Sequence, residues 1–370
     1  MSSTEIEENA SANKIKCKSC GAFLTYQAGT TLLKCEYCSA ENEIKNEPAE
    51  VKELDFNEYL ASLTDAPEQE EVNTVKCSDC GANTTLKPNV TSDNCPYCAT
   101  PLILENATAK RLISPSNLLP FKVERKAANE LFLKWVKALW FAPNDLKNYA
   151  SNTQEKLNGI YIPFWTYDSN TYTEYSGSRG DHYYVTEYYT DSEGNQQSRQ
   201  VRRTMWTHVS GWVNDSFDDV LVCASKSLPV KLMNELEPWD LNALENFNSS
   251  FLSGFRAESY QIDLAGGWEV AKGMMDPKIR SSIYSDIGGD EQRISSMNVQ
   301  YNDITFKHIL LPVWLSAYRY NGKIFRFMIN ARTGEVQGER PYSFWKIFLL
   351  VLGIIAAIAV VYIISKARHS

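Results

Sequence analysis

Histidine is scarce in this chain. Four occur in 370 residues, at His182, His208, His308 and His369, too scattered to pair as metal ligands or as an acid and a base. No HExxH, GxSxG or GxGxxG string is present. Nor is GxxxxGK[ST], the loop whose amides and lysine hold nucleotide phosphates, so a nucleotide-driven motor is excluded. The chain lacks a long basic stripe of the kind that follows a phosphate backbone. Residues 1–12 carry no apolar run, which predicts a disordered start and no signal peptide. Asp218-Asp219 and Glu258 are acid/base or metal candidates, but nothing in the sequence pairs them. Asp-Asp before an apolar strand reads as a turn or cap. The expectation is a protein that is not an enzyme.

What the chain does hold is a cysteine box used twice. Lys16-Cys17-Lys18-Ser19-Cys20-Gly21-Ala22 is followed by Cys35-Glu36-Tyr37-Cys38, with fourteen residues between Cys20 and Cys35. Lys76-Cys77-Ser78-Asp79-Cys80-Gly81-Ala82 is followed at the same spacing by Cys95-Pro96-Tyr97-Cys98. Two thiolates three positions apart on a tight turn can face one ion, and two such knuckles complete a tetrahedral four-thiolate shell. Gly21 and Gly81 stand where a positive φ is common. Phe23 to Tyr26 and Thr31 to Lys34 read as a hairpin around Ala28-Gly29. So small a ribbon needs a metal to hold it together. The rival readings are redox dithiols, which usually adjoin a βαβ pattern, and disulfides, which need an oxidising compartment; the cysteine count is an odd 9. The prediction is two structural zinc ions, one held by Cys17, Cys20, Cys35 and Cys38, the other by Cys77, Cys80, Cys95 and Cys98. Closed sites of this kind leave no position for substrate.

The remaining pattern predicts an α+β protein. Residues 1–12 are a disordered start, 13–46 the first ribbon, 47–73 an acidic linker, 74–110 the second ribbon, 111–342 a large mixed domain, 343–365 a membrane helix and 366–370 a short tail. The linker carries nine acids against Lys52 alone, which accounts for the whole net charge of −8 and would give the ribbons reach. Within it, Asp55 to Leu63 places Phe56, Tyr59, Leu60 and Leu63 on one helical face, suited to packing on the same chain or to docking on a partner. In the large domain, 125–140 reads as a helix ended by Pro143. Separate strand runs follow at 160–165, 171–175, 183–190, 200–213 and 220–224, the third and fourth flanking a turn at Asp191 to Asn195. Helical patterns return at 239–247 and 268–287. Asn321-Gly322 closes a last hairpin. Pro120, Pro163, Pro229 and Pro312 sit in one recurrent phrase that would place them at the start of strands. Cys223 has no partner at ligand spacing and reads as core packing.

Residues 347–364 are 18 consecutive apolar residues, which span ~27 Å as a helix, close to the hydrocarbon thickness of a bilayer. Tyr342, Phe344, Trp345 and Lys346 flank one end, and Tyr362, Lys366 and Arg368 the other, as interface anchors do. Reduced thiols place the N-terminal bulk in the cytoplasm, on a single-pass protein of the cytoplasmic membrane. Gly353 and Ala357 form a small-xxx-small pair suited to a homodimer.

Taken with both CxxC pairs, four stretches give the chain a recognisable likeness: Phe217-Asp218-Asp219-Val220, Gly254 to Glu258, Phe306 to Trp314, and Thr333 to Pro341. On these the chain resembles a bacterial family of membrane-anchored zinc-ribbon proteins of poorly defined role. Members are labelled as transcription-factor-IIB-type zinc-ribbon proteins or as the replication-restart (primosomal) helicase. The resemblance implies no catalytic residues, and the missing phosphate loop contradicts the helicase label. The functional expectation is a tail-anchored adaptor that gathers cytosolic or membrane-surface proteins. The alternative is a nucleic-acid-associated zinc-ribbon protein, with Lys16, Lys18, Lys34, Lys76 and Lys87 as phosphate contacts.

Overall fold

Three strands of 33, 28 and 30 residues dominate the architecture. The computed structural model of the chain describes residues 15–44, 52–62, 70–77, 83–85, 92–94, 101–103, 107–144, 146, 157–192, 194–320 and 323–368. The first ribbon contributes β1 (Leu24–Tyr26), β2 (Leu32–Cys35) and β3 (Glu41–Glu43), and the acidic segment β4 (Leu54–Asp55) and α1 (Phe56–Ser62). Next come β5 (Glu70–Lys76), β6 (Asn83–Thr85), β7 (Ser92–Asn94), β8 (Pro101–Ile103) and β9 (Ala107–Leu112). The large domain holds β10 (Asn117–Leu118), α2 (Arg125–Ala138), β11 (Asn158–Thr190), β12 (Gln196–Cys223), α3 (Val230–Asn234), β13 (Glu245–Asn246), β14 (Arg256–Ala257), α4 (Leu264–Ile287), β15 (Glu291–Tyr320), β16 (Lys323–Asn330) and β17 (Val336–Gly338). The chain continues into α5 (Phe344–Arg368), so the fold is mixed α+β with five helices among the described residues.

The large sheet has nine strands, ordered β12-β11-β15-β10-β13, with β14 on β11, β4 and β16 on β15, and β17 on β16. Its centre is buried on both faces. Ile160, Ile162, Ile309, Leu311, Val313 and Leu315 share one core with Met233 and Leu236 beside α3. Tyr161, Leu310, Trp314 and Phe327 face the other way, towards Phe132 and Val136 of α2. That two-sided burial is why Ile309 to Leu315 is apolar without alternation. Farther along the long strands, α4 covers the sheet with one stripe: Leu264, Trp268, Ala271, Met275, Ile279, Ile283 and Ile287. Asp263 caps its start by accepting from the Gly266 amide at 2.7 Å. Gly267 lets the helix lie on Trp165 and Tyr167, where a Cβ would clash with both rings.

Four readings of the sequence change here. The separate strand runs fuse into β11 and β12, with bulges near Asp168. Stretches such as Ser176-Gly177-Ser178 look like breaks, but β12 and β15 pair with both edges of β11 and hold them extended. The expected helix over 239–247 is instead a single 3-10 turn at Leu241–Ala243 followed by β13, because Asn246 and Glu245 pair with Asn117 and Leu118. The helix expected from Trp268 begins at Leu264. Pro163 and Pro312 lie inside long strands, opposite Leu310 and Tyr161. The carbonyl of Pro163 accepts from Ala224, just past the end of β12, and that of Pro312 from Ala331, just past the end of β16. The N–H that each proline lacks would face the carbonyl of that same partner, and other donors take it instead: Gln261 and Ile262 amides donate to Ala224 O, and Lys122 and Val123 amides to Ala331 O.

The hairpin of β11 and β12 outruns its neighbour. β15 begins opposite Gly180, and from there Asp181–Thr190 pairs only with Gln196–Met205. Ten further residues make an arm of about 33 Å. Tyr184, Tyr188 and Met205 on it are 65%, 77% and 58% exposed.

The acidic segment is less of a tether than its composition suggests. Leu54 and Asp55 pair with Phe306 and Thr305. Phe56 is buried against Tyr167, Trp268 and Phe306, with ring centroids 6.2, 5.6 and 6.5 Å away. Helix α1 therefore lies on its own large domain, and the Glu58 amide donates to Asp55 at 2.8 Å as in a capping box. Leu63, the fourth residue of the expected stripe, lies outside the described residues.

Candidate metal centre

Each CxxC of the first box is built by the same two backbone bonds. The Cys17 amide donates to Ala22 at 2.7 Å and the Gly21 amide returns to Cys17 at 2.9 Å; Cys35 with Ala40, and Ser39 with Cys35, repeat this at 3.0 and 2.9 Å. The fourth residue after each first cysteine is left-handed, Gly21 at φ 75° and Ser39 at φ 59°. The glycine was legible as a turn residue; the serine was not.

These two knuckles face each other. The four sulfur atoms lie within 4.8 Å of one another, and the group could hold a metal ion. Cys17 Sγ is 3.6 Å from Cys38 Sγ, and Cys20 Sγ 3.5 Å from Cys35 Sγ, far beyond a disulfide bond of ~2.05 Å. Cys17 and Cys35 are buried, Cys20 and Cys38 exposed. Amides of Cys20 and Ser19 donate to Cys17 and hold its thiol down to about 6. The Cys38 and Tyr37 amides lower Cys35 in the same way. Cys20 goes up to about 12 in spite of the Ala22 amide, because the adjacent Cys38 and Cys35 sulfurs oppose a further negative charge.

The ribbon is fixed to the large domain. Leu24, Tyr26, Leu33 and Ile44 share a core with Phe121, Phe251 and Phe255. The Tyr26 amide donates to Ser253 O at 2.9 Å, Ser253 Oγ donates to Leu24 O at 2.5 Å, and the Gly29 amide donates to Phe121 O at 2.8 Å. The Tyr26 hydroxyl reaches Thr30 O and Phe121 O, and its burial raises its pKa. Exposed on the outer side are Phe23 and Tyr37, the latter 84%.

Of the second box, Cys77 is buried; Cys80, Cys95 and Cys98 lie outside the described residues. The strands around them repeat the first box at an offset of 60. Lys16 faces Phe23, and Lys76 faces Asn83. Lys34, Leu33 and Leu32 pair with Glu41, Asn42 and Glu43; Asn94, Asp93 and Ser92 pair with Pro101, Leu102 and Ile103.

A second group with ligand atoms within 4.8 Å comprises Asp168, Asp218 and Asp219. The sequence flagged the last two but not Asp168, which arrives from the bulge in β11. Lys307 lies among them, almost fully buried, 2.7 Å from Asp219 and 3.0 Å from Glu53. Burial raises Asp168 to about 6, and its neighbour Glu53 adds to the effect. Glu53 falls to about 2, against its burial, because Asp168 and Lys307 bond to its charged form. Here the lysine supplies the counter-charge. Glu258 is buried elsewhere, joined to Ser227 Oγ and to Gln261 Nε2, the latter at 2.7 Å. Cys223 sits in the core, its thiol pushed up to about 12 by burial. His308 bonds Ile113 O through Nδ1 at 2.9 Å, His182 meets Glu291 at 2.8 Å, His208 is exposed on β12, and His369 is outside the described residues.

Helix α5 is long and apolar enough to cross a membrane over Phe344–Lys366, and none of that window is buried. Compared with known proteins, the chain is 25% identical over 343 residues to the uncharacterized protein YdjG of Bacillus subtilis (strain 168), covering 92% of this chain and 93% of that one. No family model matches the chain. No solved structure matches it.

Proposed function

We propose that the protein is a zinc-ribbon adaptor anchored in the cytoplasmic membrane by α5, holding protein partners at the membrane's cytoplasmic face. For the metal, zinc fits the donor set. Four thiolates around one ion at ~2.3 Å give sulfur–sulfur edges of ~3.8 Å, near the 3.5 and 3.6 Å seen. Cys17, Cys20, Cys35 and Cys38 would hold it, and its chemistry is structural, closing the ribbon that carries Tyr37. The repeated register favours a second zinc on Cys77, Cys80, Cys95 and Cys98. Reduced thiolates favour the cytoplasmic side for the N-terminal bulk. Gly353 and Ala357 leave a narrow face on α5 for a second copy.

The observation that carries the adaptor reading is the arm of β11 and β12. Two strands beyond the rest of a sheet have no core of their own and are marginal in water. Exposed tyrosines and a methionine make such an arm a protein-contact surface. Arg199, Arg202 and Arg203 beside those tyrosines also suit nucleic acid, which is the second reading. Two of the three are already matched: Glu187 bonds Arg199 at 3.1 Å and Arg203 at 2.7 Å. The arm then offers rings with little net positive charge, and the protein reading is preferred. Tethering by α5 raises the effective concentration of whatever the arm holds.

The test is in-cell proximity crosslinking with mass spectrometry, on the full chain and on a version with 184–202 replaced by a short turn between the paired residues Tyr183 and Arg203. The expected result is a protein set that vanishes with the arm while the shortened chain stays in the membrane fraction. An unchanged set would end the arm's role. Capture that disappears on nuclease treatment, with affinity falling steeply in salt, would reverse the ranking.

A further inference from the structure

The domain grips the first turn of α5 through one loop. Ser343 N donates to Phe141 O at 2.7 Å. Lys346 Nζ donates to Trp140 O at 3.0 Å and to Ala142 O at 2.8 Å. Lys346 directly precedes Ile347, where the apolar run begins. If α5 spans a bilayer, that lysine stands at headgroup level, and the two carbonyls bonded to it stand there too.

This fixes the depth of the residues between those carbonyls. Trp140 is 70% exposed on the domain, a large apolar surface left open by the described residues. Its ring lies 5.3 Å from that of Phe141. Phe344 and Trp345 in the first turn of α5, and Tyr342 just before it, are all exposed. Two exposed cations belong to the same segments: Lys137, three residues before Trp140 in the chain, and Arg340, whose guanidinium lies 5.5 Å over Tyr342. An exposed amphipathic indole whose own carbonyl is held by Lys346 matches the boundary where acyl chains meet lipid phosphates. The Lys346 ammonium also supplies donors to carbonyls in a place where water is sparse.

We propose that the loop from Leu139 to Pro143, with Lys137 and Arg340, is a second membrane contact: it rests Trp140 in the phosphate-bearing interface of the bilayer and so seats the α+β domain on the membrane. This rests on the reading of α5 as a membrane span. It goes beyond anchoring, because a domain on a free tether and a seated domain present different surfaces to a partner.

The full chain is reconstituted in phosphatidylcholine–phosphatidylglycerol vesicles carrying lipids brominated high on the acyl chain, and tryptophan quenching is measured for wild type, W140F and W345F. Trp140 is exposed, so its replacement by Phe leaves the fold intact. Loss of part of the quenching in both variants is the expected result. Loss in W345F with an unchanged W140F would overturn the seating while leaving the span in place. No loss in either would overturn the span reading and the seating together. As a second measurement, K346M removes the tie; quenching that W140F still diminishes equally in a K346M background would show that Lys346 does not set the depth of Trp140 and would overturn that part of the proposal.

Discussion

His308 is a buried base in a wall of rings, and its burial predicts acid sensitivity. It lies 4.6 Å from Trp165 and 5.5 Å from Tyr260 by ring centroid. Burial lowers its pKa from 6.5 to about 4, although backbone bonds at Ile113 and Ser114 pull the other way. The folded imidazole is therefore neutral where the unfolded one has begun to take a proton. Stability is present above the unfolded pKa and is lost as pH falls towards the folded one. Linkage gives a loss of about 2 kcal/mol between pH 7.5 and 5, and about 3.4 kcal/mol in all once pH is below 4. The comparison is H308Q, which keeps an amide donor but cannot titrate. Urea unfolding of the detergent-solubilised chain, followed by tryptophan fluorescence at pH 7.5 and 5, gives the difference. Acid also protonates the cysteine cluster, but in both proteins alike. H308Q starts less stable and loses about 2 kcal/mol less over that range. Equal pH slopes for the two proteins would refute the reasoning.

Metal analysis of the purified chain should return about two zinc ions per molecule, and C17S about one. C17S should also raise hydrogen exchange across β1 to β3, while leaving the core of the large sheet protected; retention of both ions would dismiss the first box as a ligand set. F56A removes a ring from a packed aromatic pocket, a change worth ~3–5 kcal/mol in a rigid core. A seven-residue helix cannot stand alone, so the variant should release residues 54–62 into fast exchange while α4 stays protected. Unaltered protection at α1 would mean that the Glu53–Lys307 pair and the β4 ladder suffice.

The sequence announces those parts whose cause is local. A CxxC knuckle, an Asn-Gly hairpin, a helix with Leu131, Phe132 and Trp135 on one side, and an unbroken apolar run can each be read within a short window. What it hides is set by distant partners. Asn246 is strand because Asn117 lies beside it. Ser176, Gly177 and Ser178 are extended because β12 and β15 hold them. Asp168 meets Asp219 only through the pairing of β11 with β12, and the acids meet Lys307 only once β15 is added. The acidic segment misleads most directly. Its charge suggests a solvated linker, yet Phe56 holds its middle in the core.

The pairing of β11 with β15 also sets an order of events during synthesis. Ile162 sits opposite Leu311, so the middle of the sheet cannot close until most of the chain exists. The last residue of β11 is Thr190 and the first of β15 is Glu291. At 5–20 residues per second, that interval is about 5–20 s, during which one edge of β11 has no partner. Sheets that depend on such remote pairing fold slowly and are open to wrong edge-to-edge association meanwhile. Helix α4 emerges within the same interval, just ahead of β15, and its apolar stripe can shelter Trp165 and Tyr167 before the strand arrives. The apolar helix follows soon after β16, so completion of the sheet and emergence of α5 fall close together in time.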